Sequence, residues 1–567
     1  MVLVLAACSS QQTRGATGES SAGSTVQAVA RPSRLTLAIQ NDISVLASKL
    51  MVGPGRSGGV GEEFSFLSNS PLVVLDGRGV AHPRLAVELP SQDHGTWVVN
   101  ADTTMATTWK IRPNAFWHDG QPVRSRDFVF ALKIYSDPEI PTIDRHPERL
   151  ILGVEPIDDK TFVIHWRQLY LSAAELTIGQ LEPLPEHVLA QAYEGGDKTA
   201  FTNSPFWTTA VYVGAGPYVL QDRTEGVDRM YRAFDRYFLG RPKVDEILVR
   251  MLPDQNTSLA NVLGGAINTT LASAINAPSA QALQQEWGRT GDGQVVVSLN
   301  TFQFIEFQHR PEFAQPTAIL DVRVRRAVAH AVDRVAMNDV LTGGRVPLPP
   351  DVPLHPEDPW SPQLLPLLPY HTHDPRQALA LLADAGWTRV GDRLVNEKDE
   401  QFRVNIRTVA RSDNEMRIRT VAGYVSALGA DVSQYMLSVT EDGDREARAK
   451  FPGMDVYTSP MSLPDGLRDF TSRECPAPEN QFFGRNRSCW SNPEFDRLFV
   501  VATTTLDRSA RAGLTGDMLK ILAEDVPFFS VPYATRNQAV RKGLVGPVPT
   551  WHAQPGATWN IHEWHFS

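Results

Sequence analysis

From residue 34 onward the chain contains no internal repeat and no long low-complexity linker, while strand-like and helix-like segments alternate. That restricts the architecture sharply. Strands and helices must pack together as one α/β assembly, which for 567 residues means roughly two to four compact units and not a string of independent beads. RLTLAIQND (34–42) alternates at the strand period, and LVVLDGRGVAHPRLAVEL (72–89) sets an Asp-Gly turn between apolar runs as a hairpin does. Residues 107–123, TTWKIRPNAFWHDGQPV, read as strand, turn and short strand. A helix follows, with Ser125 expected as N-cap, Asp127 in the first turn, and Phe128, Ala131, Leu132 and Tyr135 on one apolar face.

Further along, 214–254 reads as strands broken by Gly and Pro turns, and NTSLANVLGGAIN as helix. VVVSLNTFQFIEFQH is strand-like, LDVRVRRAVAHAVDRVAMNDVL (320–341) is strongly helical, and HDPRQALALLADAGW (373–387) is an N-capped helix. Residues 402–457 alternate strand and helix, as a second α/β lobe would, and VPFFSVPY (526–533) reads as a buried strand.

Hydrophobic residues make up 42% of the chain, enough for a large core. The net charge of −10 argues against nucleic acid as a partner, which calls for a basic stripe. No segment beyond the N-terminus approaches the roughly 18–20 apolar residues of a membrane span. The N-terminus itself is MVLVLAACSSQQ, in which Leu5-Ala6-Ala7-Cys8 resembles a bacterial lipobox. The resemblance implies that Cys8 is lipidated, and the Ser-, Gly-, Thr- and Gln-rich residues 9–31 suit a flexible tether. A basic n-region and a longer apolar stretch are expected upstream. In an exported protein Cys475 and Cys489 are most simply a disulfide, and closing that loop contributes about 3 kcal/mol in the chain-entropy model. A metal site is the weaker reading of the pair, which lacks a CxxC knuckle.

For catalysis the signals are poor. The sequence holds no GxSxG elbow, P-loop or HExxH, so the chain is not expected to be an enzyme. His118 and Asp119 in FWHDGQPVRSRDFVFALK are either half of a catalytic pair or a turn delivering the chain into its helix, and the turn is the expected role. His552, His562 and His565 near the C-terminus are read as solvent-facing and not as metal ligands; no metal and no cofactor is expected.

Six stretches taken in order, WHDGQPVRSRDFVFALK, GAGPYVLQDRTEG, DRYFLGRPKVDEILVRMLPD, LDVRVRRAVAHAVDR, HDPRQALALLADAGW and SNPEFDRLFVVA, resemble the family 5 solute-binding proteins of bacterial ABC importers over about residues 34–545. The resemblance implies a two-lobed periplasmic-binding-protein-like α/β fold of the large peptide-receptor type (class II). Two hinge strands, expected near Val297–Phe304 and Val526–Val531, join the lobes around a ligand cleft. It divides the chain into a tether (1–33), a first lobe (34–71, 215–303 and 525–567) with an extra subdomain (72–214), and a second lobe (304–524). It further implies an extracytoplasmic, lipid-anchored monomer that hands a small solute, oligopeptide or dipeptide by family, to ABC permease subunits. The alternative is a sensing or scaffold lipoprotein on the same fold that is not coupled to transport.

Peptide receptors of this family hold the ligand's amino group with an aspartate in a stretch resembling G-W-x-x-D-Y-P-D-P. Its counterpart here is DVYTSPMSLPDGLRDF (455–470), where that place falls on Ser462 or Pro460 and the tryptophan is missing. A buried ammonium without an anion costs several kcal/mol, so the stretch supports "importer receptor" better than "peptide receptor". Asp465, nearby, is either a substitute anion or a solvated turn residue. The expected ligand contacts are Tyr457, Ser459, Met461, Ser462, Asp465 and Phe470, with Phe66, Asn69 and Trp207 from the first lobe and Arg473 beside the cysteine pair. Dipeptide-type members carry a similar small disulfide loop just after this stretch.

Overall fold

Ten strands form the central sheet: β1 (Arg34–Ile39), β2 (Tyr218–Thr224), β3 (Asp228–Ala233), β4 (Glu246–Met251), β5 (Thr269–Thr270), β6 (Gly293–Phe307), β7 (Arg403–Val409), β8 (Asp431–Leu437), β9 (Met454–Ser459) and β10 (Phe528–Arg541). Their order across the sheet is β8-β7-β9-β6-β10-β5-β1-β4-β3-β2. This is a computed structural model, and it describes residues 32–43, 45–50, 60–142, 145–271, 274–410, 412–459, 463–550 and 556–567. The lipobox cysteine Cys8 and the tether lie outside the described residues, as do Met461, Ser462 and His552.

The strand order divides the sheet into two groups. β1 to β5 gather on one side and β7 to β9 on the other, while β6 and β10 run antiparallel through both, from Gly293 opposite Arg541 to Glu306 opposite Phe528. Their register slips between Leu299 and Gln303. Such irregularities bend a strand pair and raise its twist. Val296 and Val540 pack with Leu35, Leu37 and Val249 in the core of the first lobe. Beyond the slip, Leu299, Phe302, Phe304 and Tyr533 pack with Leu467, Phe470 and Leu519, and Ile305, Phe529 and Val531 with Val324, Ile406 and Val421, all in the second.

The crossing on β6 therefore falls inside the expected Val297–Phe304. On β10 it lies at residues 534–539, not at Val526–Val531, which sit opposite the far end of β6 deep in the second lobe. The segment up to Tyr533, expected with the first lobe, accordingly belongs to the second core.

The stretch 72–214 carries a four-stranded sheet in the order Trp97–Val99, Met105–Lys110, Thr161–Trp166, Ile151–Pro156. Trp109, Phe162 and Trp166 from that sheet pack with Phe128, Ala131 and Tyr135, and this core is continuous with that of the first lobe. The helix there, Ser125–Ser136, is capped differently from expectation. Ser125 donates its hydroxyl to the carbonyl of Asp158, and the buried carboxylate of Asp127 accepts the Arg124 N–H at 2.8 Å and the Trp117 Nε1–H at 3.1 Å. The helical run expected over 320–341 is two helices, Val322–Ala331 and Arg334–Thr342. Asp333 breaks it by taking the Ala336 N–H on its own side chain, an N-cap in mid-run.

His118 closes a joint between two of the six family-like stretches. Its Nδ1 accepts the Gly214 N–H at 3.2 Å and its Nε2 lies 3.1 Å from the Gly216 carbonyl oxygen, which requires the neutral ring with the proton on Nε2. Burial pushes its pKa down to about 4. Gly214 and Gly216 allow the joint to close: a Cβ on Gly216 would stand 2.3 Å from the Ser68 carbonyl carbon and 2.5 Å from the Asn69 nitrogen. Asp119 accepts the Gln121 N–H at 3.0 Å and meets His187 at 2.7 Å. The pair is a turn that ties sheet to lobe.

Candidate functional site

Among the described residues, and away from the hinge strands, side chains of the two lobes hydrogen-bond at two places. Behind them, Arg345 donates to Gln284 Oε1 at 3.1 Å. At the cleft, the short 3-10 turn Leu171–Ala174 of the first lobe faces the 3-10 helix Asp465–Phe470 of the second. There Ser172 Oγ donates to Asp465 Oδ2 at 3.0 Å. Each turn is held by its own core, Tyr170 and Ala173 in one lobe and Leu467 and Phe470 in the other. The hydrogen bond therefore ties one lobe to the other.

The cleft at this point is acidic. Burial raises the Asp465 pKa, against the lowering pull of the Ser172 hydroxyl and of Arg468 and Arg511. Glu175, on the turn that carries Ser172, is exposed to solvent. Tyr170, buried beside them, is pushed well above its usual value by burial and then by both carboxylates. Neither arginine is a free counter-ion. Arg511 Nη1 donates to the Thr505 and Leu506 carbonyls, and Arg468 lies 3.8 Å from Glu474.

The 3-10 helix carrying Asp465 packs through Phe470 on an aromatic cluster in the core of the second lobe. Phe470, Phe304 and Phe528 meet with ring centroids 4.6–5.7 Å apart, and Tyr457 packs against Phe304 at 5.8 Å. The Arg487 guanidinium lies 3.7 Å from the centre of the Tyr457 ring, a cation–π contact. Ser459 Oγ donates to Asp469 Oδ2 at 3.2 Å, and Arg485 Nε donates to the same oxygen at 2.7 Å. Arg485 and Arg487 ride on the loop closed by the Cys475–Cys489 disulfide, whose Cα atoms are 4.8 Å apart. That loop thus braces β9 and the helix carrying Asp465.

Tyr457 and Ser459 lie on β9, and Asp465 and Phe470 on the 3-10 helix beside it; Ser459 is buried and Phe470 is part of the core of the second lobe. Trp207 is elsewhere: it is 1% exposed, donates Nε1–H to the Phe201 carbonyl and packs on Phe201 and Phe206. Asn69 is also a brace, donating to the Leu46 carbonyl at 2.9 Å and accepting the Tyr212 hydroxyl at 2.7 Å. Phe66 packs with Val74, Ile178 and Trp559 in a small separate cluster on the first lobe. Arg473 is exposed to solvent. Both Trp207 and Asn69 sit in polar, turn-rich sequence that looks like a binding loop, and only tertiary packing reveals them as supports.

Several residues of the site carry no sequence signal. Ser172 and Glu175 lie in QLYLSAAELTIGQ, which matches no motif. Near the hinge, the buried oxygens Gln303 Oε1, Asn537 Oδ1 and Thr550 Oγ1 have no partner among the described residues; Gln303 is on β6, Asn537 on β10, and the Thr550 N–H donates to Ser298 of β6. The Trp559 Nε1–H beside Phe66 is likewise buried without a partner among the described residues. Buried polar atoms of this kind are usually satisfied by water or ligand.

Asp351, His371 and Ser530 come together in the second lobe, but not as a nucleophile and base. His371 Nδ1 and N–H both meet Asp351 Oδ2, while Ser530 is held by Arg334, and all are buried. His562 packs edge-to-face on Tyr237 and touches Arg84, and burial pushes its pKa down to about 3. It is mostly buried, not solvent-facing as expected. Among the described residues no group of three His, Cys, Asp or Glu side chains is placed to hold a metal ion. Among them, too, no helix is long and apolar enough to cross a membrane.

Residues 83–458 match the family model described as "Bacterial extracellular solute-binding proteins, family 5 Middle". The chain is 22% identical over 472 residues to the oligopeptide-binding protein AppA of Bacillus subtilis, covering 82% of this chain and 81% of that one. The oligopeptide-binding protein of Thermus thermophilus, solved with a pentapeptide, shares the fold with a TM-score of 0.74 at 21% identity, covering 94% of this chain and 96% of that one. NikA of Brucella suis, solved with Fe(III)-EDTA, does so with a TM-score of 0.75 at 17% identity over 94% of this chain and 100% of that one.

Proposed function

Because the chain belongs to the bacterial extracellular solute-binding proteins of family 5, and is thus an extracytoplasmic receptor of an ABC importer and not an enzyme, we propose that its solute is a peptide or peptide-like molecule with a free amino group held at Asp465. The observation that carries this reading is the facing of the lobes. Two continuous strands join them, and the carboxylate that meets the opposite lobe is Asp465, in the stretch where peptide receptors keep their amine anchor.

An ammonium entering the cleft replaces the Ser172 hydroxyl as partner or adds to it, and gains a charge-assisted hydrogen bond. Phe470 and Tyr457 supply an apolar wall behind it, and Ser459 is held in place by Asp469. Phe66 and Trp559 stand as contacts from the first lobe. Met461 and Ser462, which lie between Ser459 and Asp465 in the sequence, are assigned as further ligand contacts, while Arg473 is available to a carboxylate. The solute bridges both lobes only when they are shut, so binding draws the population toward the closed form that a permease reads. Cys8, carrying a diacylglyceryl group, supplies two acyl chains, enough to keep a monomeric receptor beside its transporter.

The test is calorimetric. Oligopeptides are titrated into the protein with free and with acetylated amino termini, and again into Asp465→Asn. Loss of the charged partner is expected to weaken free-amine peptides by about 10- to 100-fold, the value of a hydrogen bond to a charged group. Acetylation is expected to cost a similar factor in the unsubstituted protein only. Equal affinity of free and acetylated peptides refutes the role given to Asp465.

A further inference from the structure

We propose that the rear of the hinge is a stop that limits how far the cleft opens. Helix Ala277–Thr290 of the first lobe and the end of helix Arg334–Thr342 of the second enclose a pocket there. The filling of that pocket sets the balance of open and closed forms, and with it the affinity for solute. This rests on the reading of the molecule as a receptor that closes about β6 and β10, though not on the identity of its solute.

Helix Ala277–Thr290 divides its residues by the helical period. Ala280, Leu283 and Trp287 pack with Ala38 and Val262 in the first lobe, while Ala277, Gln281 and Gln284 look toward the second. Across the gap stand Val340, Thr342 and Met416, and their own lobe anchors this wall through Met337 and Leu341. Arg345 is fixed to the helix end by donating its Nε–H to the Thr342 carbonyl at 2.6 Å, and it reaches across to Gln284 at 3.1 Å. The Gln281 amide nitrogen comes within 4.0 Å of the place that a Cβ on Gly343 would occupy. The rear surfaces of the two lobes are thus already close, with the pocket between them.

The pocket lies on the other side of the hinge ribbon from Asp465. Successive residues of a strand point to opposite faces. In the first lobe Val295 and Ala539 pack with helix Ala277–Thr290, whereas their neighbours Val296 and Val540 join the core that holds Tyr170 and Ala173. In the second lobe Phe304 joins the core of Leu467 and Phe470, and its neighbour Ile305 joins that of Met337 and Leu341. The turn bearing Ser172 and the helix bearing Gln284 therefore sit on opposite faces of β6 and β10, and so do Asp465 and the helix ending at Thr342. A rotation about the ribbon that parts Ser172 from Asp465 drives the rear surfaces together, and the pocket is the room left for that movement. A side chain that fills it blocks opening, and side chains trimmed from its wall allow more. Because affinity scales with the fraction of molecules in the competent form, the rear pocket tunes it without touching solute.

The test is small-angle X-ray scattering of the ligand-free protein, comparing the parent with Gln281→Trp, which fills the pocket, and with Val340→Ala combined with Met416→Ala, which enlarges it. All three positions are exposed, so the cores are left intact. The filled variant is expected to have a smaller radius of gyration than the parent, and the trimmed variant a larger one. A merely structural disturbance would move both the same way. Calorimetry with free-amine oligopeptides is expected to follow: the filled variant binds more tightly, by up to about tenfold where about a tenth of the parent is closed, and the trimmed variant more weakly. If Gln281→Trp fails to fold, the trimmed variant carries the test. Identical scattering from the folded proteins overturns the proposal, and so does a shift of both variants in one direction. Because the scattering needs no solute, opposite shifts in a protein that binds no peptide would uphold the stop and refute the peptide reading alone.

Discussion

Gly216→Ala is the perturbation whose consequence is most directly set by the coordinates. A Cβ there would stand 2.3 Å from the Ser68 carbonyl carbon, 2.5 Å from the Asn69 nitrogen and 2.6 Å from the Leu67 carbonyl oxygen. All three are backbone atoms at the end of helix Val60–Ser68, so no side chain can rotate away. Ordinary contact begins near 3.4 Å, and relief requires the helix end and the 214–216 turn to part by about 1 Å. Parting them stretches the Gly216 N–H to Ser68 carbonyl bond of 2.8 Å and strains both His118 contacts. Overpacking usually costs about 1–3 kcal/mol, and a rigid backbone clash with hydrogen bonds at risk belongs at or above the upper end. Gly288→Ala is the control. Nothing lies within 4 Å of its Cβ position in the helix Ala277–Thr290, so it should stabilise by about 0.5–1 kcal/mol. Urea unfolding followed by fluorescence separates the two. A Gly216→Ala protein within 0.5 kcal/mol of the parent would refute the joint as described.

Other consequences follow from the same coordinates. Replacing Cys475 and Cys489 together by Ser should cost about 3 kcal/mol for a loop of this length, lowering the midpoint of a melt of the whole chain by about 2–3 °C. Reductant should reproduce that shift in the parent and leave the double variant unmoved. The same variant should bind its solute more weakly, since Arg485 and Arg487 are then no longer held on Asp469 and Tyr457. His118 is held neutral, with its pKa lowered to about 4. A group depressed in this way costs stability as pH falls below the ordinary value near 6.5, and the loss is complete below about 4. His118→Gln should therefore show a shallower fall in stability than the parent across that window, measured by denaturant midpoints. Trp207→Phe should lower stability through the lost Nε1–H bond to Phe201 and leave solute affinity unchanged, because the residue is core.

Much of the frame was legible in the residues, because periodicity and punctuation act locally. The strand period of RLTLAI, the Asp-Gly hairpin and the Asp-capped helix at 375 each appear where the pattern puts them. The errors arose where a distant partner took over a local signal. Ser125 looks like a cap, but Asp158 claims its hydroxyl and Asp127 caps in its place. VPFFSVPY is a buried strand as expected, yet which part of β10 crosses between lobes depends on its register against β6, some 230 residues earlier, which no local pattern encodes. The site divides in the same way. Asp465, Tyr457 and Phe470 can be proposed from the sequence because one stretch carries all three. Ser172 cannot, since its meaning arises only when a turn of the first lobe comes to face the second.

The central claim is that the two lobes trap one peptide-like solute with a free amino group between them. Native mass spectrometry of the freshly purified chain tests this most directly. The account predicts a monomer carrying a single non-covalent solute that is released on unfolding and regained from a mixture of free-amine oligopeptides. A bare chain that takes up nothing from that mixture, or a bound species that is a metal chelate without an amino group, would contradict it.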